Sequence, residues 1–144
     1  MTMEETREET PQDLRNLALK VAGLLEEAGQ HALHDHLNPR NLALPSTDDG
    51  EHGPRYRLET DSKILRFMSS RLADIAHFDG FWTTRPAESR PGQRYWYIGK
   101  IDGVINYVRR MSEWTLTAAL FEFGPDNEPK PIIGVVHAPA LEIG

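Results

Sequence analysis

The stretch from Arg94 to Trp114 constrains the fold of this chain more than any other. Residues Arg94–Ile98 form a short apolar run that predicts a β-strand, and Asp102 and Gly103 predict a turn. A helix is then predicted to begin at Val104. Because unpaired N–H groups at a helix start attract anions, this arrangement favours phosphate chemistry.

Two further helices and two further strands are predicted from periodicity. Apolar residues at helical spacing predict one helix over about residues 11–33 and another over about residues 60–76, capped by Thr10 and Thr60. Residues 114–123 and 131–138 predict the two strands of a hairpin. The predicted fold class is therefore α+β, with two helices packed on a small, mainly antiparallel sheet.

Polar, proline-rich and glycine-rich segments predict the connections. Residues 1–9 are interpreted as a disordered acidic tail, and residues 10–144 as a single domain. Residues 34–59 have loop composition, with one short strand near residues 55–58, and a loop of this length is either functional or mobile. Residues 83–94 are a second connecting segment.

Composition excludes several classes of function. The 144 residues include no cysteine, which excludes disulfides, thiolate metal sites and cysteine nucleophiles. A net charge of −6 argues against general nucleic-acid binding. No apolar run approaches the ~20 residues of a membrane helix, and the acidic N-terminus is unlike a signal peptide. We therefore expect a cytoplasmic protein that binds neither nucleic acid nor membranes.

Residues 96–107, WYIGKIDGVINY, resemble the inositol monophosphatase superfamily signature W-x-[IV]-D-P-[IL]-D-G-T-x-x-[FY]. Residues 108–120 and 131–141 resemble the branch that hydrolyses 3′-phosphoadenosine 5′-phosphate, the 3′(2′),5′-bisphosphate nucleotidases. The resemblance covers the N-terminal half of a typical member. It implies the fold of the N-terminal domain of the sugar-phosphatase superfamily, here in truncated form.

The resemblance also implies Mg²⁺-dependent phosphomonoester hydrolysis, in which carboxylates hold the metals and a threonine positions the attacking water. At these positions the chain departs from the signature: the first aspartate is Gly99, the proline is Lys100 and the threonine is Val104. The family's glutamate pair falls near residues 82–85, which contain no carboxylate. The vestigial, degenerate metal site implied by the resemblance comprises Asp61, Ile101 and Asp102.

So few carboxylates do not hold paired Mg²⁺ ions, which keep their water unless several hard ligands replace it. We therefore predict a pseudoenzyme, a binding or interaction protein that requires no cofactor. The alternative is a residual Mg²⁺-dependent phosphomonoesterase for nucleotide 3′-phosphates or inositol phosphates. It would be active only as an oligomer or with a complementing C-terminal subunit.

Positive charge has replaced acidic residues in this stretch, which suggests direct binding of a phosphorylated small molecule without a metal. The predicted phosphate-binding residues are Arg85, Lys100, Gly103, Val104, Arg109 and Arg110. The alternative is that the lysine and arginines are merely solvated. Asp102 would then serve as a structural cap of the following helix.

Histidines, aromatic residues and one apolar strand allow further predictions. The spacing of His31, His34 and His36 permits a transition-metal site, but a frayed helix end is the simpler interpretation. His137 is predicted to pack within its strand. The aromatic residues predicted to lie in the core are Trp82, Trp96, Tyr107 and Trp114. The strand Ile132–Ala138 should leave apolar surface, so we expect a homo-oligomer or a partner that covers it.

Overall fold

The computed structural model describes residues 9–37, 44–45, 56–57, 59–83 and 89–141 of the chain. These residues form three helices and six strands. The helices are α1 (Pro11–His36), α2 (Glu59–Ile75) and α3 (Val104–Val108). The strands are β1 (Leu44–Pro45), β2 (Tyr56–Arg57), β3 (Gly80–Phe81), β4 (Arg94–Ile98), β5 (Leu116–Phe123) and β6 (Pro129–His137).

The main sheet has four strands in the order β3-β4-β5-β6. β3 runs parallel to β4, whereas β4, β5 and β6 are successively antiparallel. The predicted α+β class with a mainly antiparallel sheet is therefore confirmed. β1 and β2 form a separate antiparallel pair in the segment for which one short strand was predicted. Most of that segment, like residues 1–8, lies outside the described residues.

Helix α1 begins where the sequence predicts and ends later. The Thr10 hydroxyl accepts the Asp13 N–H at 3.1 Å, and the Asp13 carboxylate accepts the Thr10 N–H at 3.0 Å, which forms a capping box. The helix continues beyond Leu33 to His36 because Asp35 and His36 are buried against other elements. The prediction of a frayed helix end around the histidines was wrong for this reason.

Helix α2 shows a second difference from the prediction. Thr60 does not cap the helix, because the helix already includes Glu59. The Thr60 side chain is buried, and its hydroxyl donates to the Asp35 carboxylate at 2.8 Å. A residue type that favours helix starts is used here to join α2 to α1.

The hydrophobic core lies between the two long helices and one face of the sheet. Period-2 alternation in β5 buries Leu116, Ala118 and Leu120 on this face. Trp96, Tyr107 and Trp114 are at most 3% exposed, as predicted. Trp82 is the exception: it is half-buried, and its ring stacks on Phe123 outside this core.

Strand β6 is an edge of the four-stranded sheet, and its two faces differ. Ile133 lies in the core, whereas Val136 is 66% exposed. His137 is half-buried as predicted, and it approaches α1 so closely that a Cβ at Gly29 would lie 2.9 Å from its ring. No helix within the described ranges has the length and apolar character needed to cross a bilayer.

Candidate functional site

A cleft of about 720 Å³ opens beside the segment that follows β4. Its walls come from the start of α2, from β3 and the residues after it, from the end of β4, and from β5. The lining residues are Asp61, Ser62, Leu65, Phe81, Trp82, Thr83, Trp96, Tyr97, Ile98, Gly99, Lys100, Ile101, Asp102 and Thr117. Residues 96–102 of the signature-like stretch therefore form one wall of the cleft.

Backbone hydrogen bonds hold this wall in place. The Gly99 N–H donates to the Thr117 carbonyl at 2.9 Å, which continues the pairing of β4 with β5. Asp102 and Thr115 then exchange two backbone hydrogen bonds of 3.0 Å. At Gly103 the chain turns into α3 with a φ of 82°. The predicted order of strand, turn and helix is thus confirmed.

Asp61 supplies the side-chain support for the same wall. Its Oδ1 accepts the Ile101 N–H at 2.8 Å, across the cleft from α2 to the segment after β4. Burial raises the pKa of the Asp61 carboxyl, although the Ile101 N–H and the charge of Lys100 oppose that shift. One oxygen of this carboxylate is therefore already committed to the protein backbone.

Lys100 and Asp102 expose their side chains at the cleft. Asp102 does not cap α3, because the N-cap residue is Gly103 and no side-chain bond caps this helix. The structural role predicted for the Asp102 carboxylate was therefore wrong. Its backbone pairs with Thr115, and the residue is exposed where it lines the cleft.

The predicted phosphate-binding residues divide into three groups. Lys100 lines the cleft. Gly103, Val104, Arg109 and Arg110 are not among the lining residues, and the two arginines are exposed beyond the end of α3. Arg85 lies outside the described residues. A phosphate role for any of the six remains a prediction.

Asp61, Ile101 and Asp102, the vestigial metal site implied by the resemblance, all line the cleft, and a metal-binding role for them remains a prediction. Gly99 is buried beside them and contributes no carboxylate. Within the described ranges, no group of three or more histidine, cysteine, aspartate or glutamate side chains is placed to hold a metal ion. The charged side chains that line the cleft are one exposed carboxylate, one carboxylate bonded to the backbone, and a lysine.

Sequence reasoning missed several residues of the cleft. Tyr97 is 41% exposed, and alternation along β4 from the buried Trp96 was a signal for its position. Thr117 and Leu65 gave no such signal. Their position depends on the pairing register of β5 and on the packing of α2, which local patterns do not specify.

Comparison with known proteins identifies relatives of the chain. The 3′(2′),5′-bisphosphate nucleotidase CysQ of Escherichia coli is 39% identical over 88 residues, which cover 49% of this chain and 34% of that protein. The histidinol-phosphatase of Streptomyces coelicolor is 29% identical over 124 residues, covering 85% of this chain and 44% of that protein. An IMPase of Thermotoga maritima superposes with a TM-score of 0.63 at 22% identity, covering 87% of this chain and 45% of the other. No model of a protein family matches the chain.

These matches show that the chain is related to the inositol monophosphatase superfamily, as the motif at residues 96–107 predicted. The likeness to the solved IMPase is one of fold. The chain spans between 19% and 44% of the length of the curated relatives that it matches.

Proposed function

We propose that this chain is a non-catalytic relative of the inositol monophosphatase superfamily that binds a phosphorylated small molecule in the cleft without a metal ion. The contact between Asp61 and Ile101 is the main support for the proposal. Two carboxylates line the cleft, and the carboxylate of Asp61 is already engaged by this hydrogen bond to the backbone. The exposed carboxylate of Asp102 is then opposed by the charge of Lys100 on the same wall.

Magnesium chemistry sets a demanding requirement. Mg²⁺ takes near-octahedral oxygen ligands, and closely spaced ions need several negative charges to offset their repulsion. The described residues that line the cleft include two carboxylates and one lysine, so their net charge is −1 when all three are ionised. Val104 also lacks the hydroxyl that the resemblance assigns to positioning water. These features favour binding over hydrolysis.

Lys100 is the residue best placed to bind an anionic group directly. The residue is exposed and lines the cleft, and its ammonium offers three hydrogen-bond donors as a compact charge suited to phosphate. Hydroxyl groups of Ser62 and Thr117 line the same cavity. Trp82 and Tyr97 also line the cavity, and their aromatic rings suit packing against a planar or cyclic group of the ligand.

The named activities of the relatives guide the choice of ligands. They act on a 3′(2′),5′-bisphosphate nucleotide and on histidinol phosphate, both of which combine phosphate with a ring. We therefore propose calorimetric titration of the full chain with adenosine 3′,5′-bisphosphate, histidinol phosphate and inositol monophosphate, in Mg²⁺ and in EDTA. Binding to at least one of them, unchanged by EDTA, is the expected result.

Lys100→Ala should weaken that binding by about 1.5–3 kcal/mol, the range for a hydrogen bond to a charged group. Arg109→Ala is the matched control, because it removes a positive charge outside the cleft. Equal losses from both variants would show general charge attraction instead of binding in the cleft. The absence of binding to any of the three compounds would refute the proposed ligand class.

Hydrolysis is tested separately by measuring phosphate release from the same compounds with Mg²⁺. We expect none above background. Release that requires Mg²⁺ and is abolished by Asp102→Asn would establish the alternative, a residual phosphomonoesterase. The same assay after addition of a C-terminal half from a relative tests whether such activity depends on a complementing subunit.

A further inference from the structure

The Tyr97 side chain lies over Gly99 on the wall of the cleft. Both residues line the cleft, and they are two apart in a segment that pairs with β5, so they share one face of the sheet. A Cβ at Gly99 would lie 3.3 Å from Cε1 of the Tyr97 ring and 3.4 Å from the Tyr97 hydroxyl oxygen. The phenol therefore occupies the space that a side chain at position 99 would need.

Thr117 lies on the other side of the same space. Its Cβ is 3.5 Å from the point that a Gly99 Cβ would occupy, and its carbonyl accepts the Gly99 N–H at 2.9 Å. The Tyr97 hydroxyl oxygen and the Thr117 Cβ are therefore at most about 7 Å apart, a gap that one phosphate group spans with two hydrogen bonds of ~2.7–2.8 Å. Lys100 follows Gly99 directly and lines the same cleft.

The Tyr97 hydroxyl differs from the other phenol near this segment, that of Tyr107. The Tyr107 hydroxyl is buried and donates to the Ala32 carbonyl at 3.0 Å. Tyr97 is 41% exposed, and its hydroxyl makes no hydrogen bond to another residue in the described part of the chain. It can therefore donate to a bound molecule without giving up a bond within the protein.

The chemistry of these groups favours an anion. An ionised aspartate at position 99, as in the signature that the chain resembles, would only accept hydrogen bonds. Glycine removes that carboxylate and leaves room for a phenol, which donates an O–H. Hydrogen bonds from hydroxyl and ammonium groups to a charged oxygen are short and stronger than those between neutral groups. The space beside Gly99 thus suits a phosphate oxygen better than a cation.

We infer that Tyr97 is a specificity-determining residue of the cleft, whose hydroxyl donates a hydrogen bond to a phosphate oxygen of the ligand beside Lys100. Gly99 is the positioning residue, because only the lack of a side chain there lets the phenol lie over the backbone. This inference rests on the proposed function and adds the group that recognises the phosphate. Packing of the Tyr97 ring alone would favour any cyclic compound, whether phosphorylated or not.

Calorimetric titration of the full chain in EDTA tests the hydroxyl, with adenosine 3′,5′-bisphosphate, histidinol phosphate, inositol monophosphate and unphosphorylated adenosine as ligands. Tyr97→Phe removes the hydroxyl and keeps the ring. It should raise the Kd of each phosphorylated compound that binds at least about tenfold, as for a lost hydrogen bond to a charged group. Tyr95→Phe is the matched control in the same strand, outside the residues that line the cleft, and should leave Kd unchanged.

Gly99→Ala tests the positioning role, since its Cβ would displace the Tyr97 ring. It should weaken binding in the wild-type background, and the double variant with Tyr97→Phe should lose less than the sum of the two single losses.

Three results would overturn the inference while leaving the proposed function intact. They are unchanged binding by Tyr97→Phe, additive losses in the double variant, and an equal loss of affinity for unphosphorylated adenosine. If the wild-type chain binds none of the phosphorylated compounds, the proposed function fails and the inference fails with it.

Discussion

At the scale of single residues, Gly103 determines how the wall of the cleft turns into α3. Its φ is 82°, and a Cβ at this position would lie 2.6 Å from the Glu113 carbonyl oxygen. Gly103→Ala should therefore lower the free energy of unfolding by at least about 2 kcal/mol, from left-handed strain and the backbone clash together. Urea unfolding measures the difference.

Gly23→Ala is the control for that substitution. Gly23 is exposed in the middle of α1, and a Cβ there meets nothing within 4 Å. Because alanine is the better helix former, this variant should be more stable by about 1 kcal/mol. A Gly103→Ala protein as stable as the wild type would contradict the steric account of the turn.

His36 makes stability dependent on pH. Its side chain is buried, and its ring packs against the rings of Tyr107 and Trp114. Burial, and then the charge of Arg110, lowers the pKa of His36 below its ordinary 6.5. The unfolded chain thus binds more protons than the folded chain, and stability falls as pH drops through the window between 6.5 and the lowered pKa.

Urea unfolding at about pH 7.5 and about pH 5.5 measures this loss. His36→Phe keeps an aromatic ring at the position and removes the titration, so the difference between the two pH values should shrink. His34→Gln, an exposed position on the same helix, should leave the difference unchanged. An unaltered pH dependence in His36→Phe would assign the effect to other groups.

The roles of single residues were predicted correctly where those roles depend only on neighbours in sequence. The cap at Thr10 and the turn at Gly103 follow from neighbours in sequence, and both appear as predicted. Thr60 and Asp102 were assigned capping roles that they do not have. A buried partner on α1 engages Thr60, and backbone pairing across the sheet holds Asp102, so distant contacts override the local preference.

At the scale of elements, one buried hydrogen-bond network joins the three helices. The Tyr107 hydroxyl in α3 donates to the Ala32 carbonyl of α1 at 3.0 Å and lies 3.3 Å from the Thr60 hydroxyl of α2. Thr60 in turn donates to Asp35, which also pairs with Lys63 at 3.1 Å. Burial is the main reason that the pKa of Tyr107 rises to about 12, so the phenol stays a neutral donor.

Tyr107→Phe should cost about 1–3 kcal/mol of unfolding free energy, because the Ala32 carbonyl loses its buried donor while the ring is retained. Tyr97→Phe is the matched control at a position that is 41% exposed, and it should change stability by less than about 0.5 kcal/mol. Equal effects of the two variants in urea unfolding would rule out a special contribution of the network.

At the scale of the whole molecule, the response to Mg²⁺ distinguishes a binding protein from a metalloenzyme. A ligand that binds the folded state raises stability according to its concentration and affinity. With one carboxylate of the cleft bonded to backbone and Lys100 beside the other, we expect Mg²⁺ to give no more stabilisation than NaCl of equal ionic strength. Thermal unfolding in Mg²⁺, NaCl and EDTA makes the comparison, and a shift of Tm specific to Mg²⁺ would argue for a surviving metal site.

Strand β6 is an edge of the four-stranded sheet and exposes Val136, so a homo-oligomer or a partner that covers this strand remains a prediction.

The sequence alone determined the class of fold, the order of the main elements and the relationship to a phosphatase superfamily. These depend on periodicity, turn residues and a motif, all of which lie within short stretches. Tertiary structure decided that Asp61 bonds to Ile101, that Lys100 lines the cleft while Arg109 does not, and that His36 is buried. Each of these outcomes depends on contacts between residues far apart in the chain, and the packing of helices on a paired sheet sets those contacts.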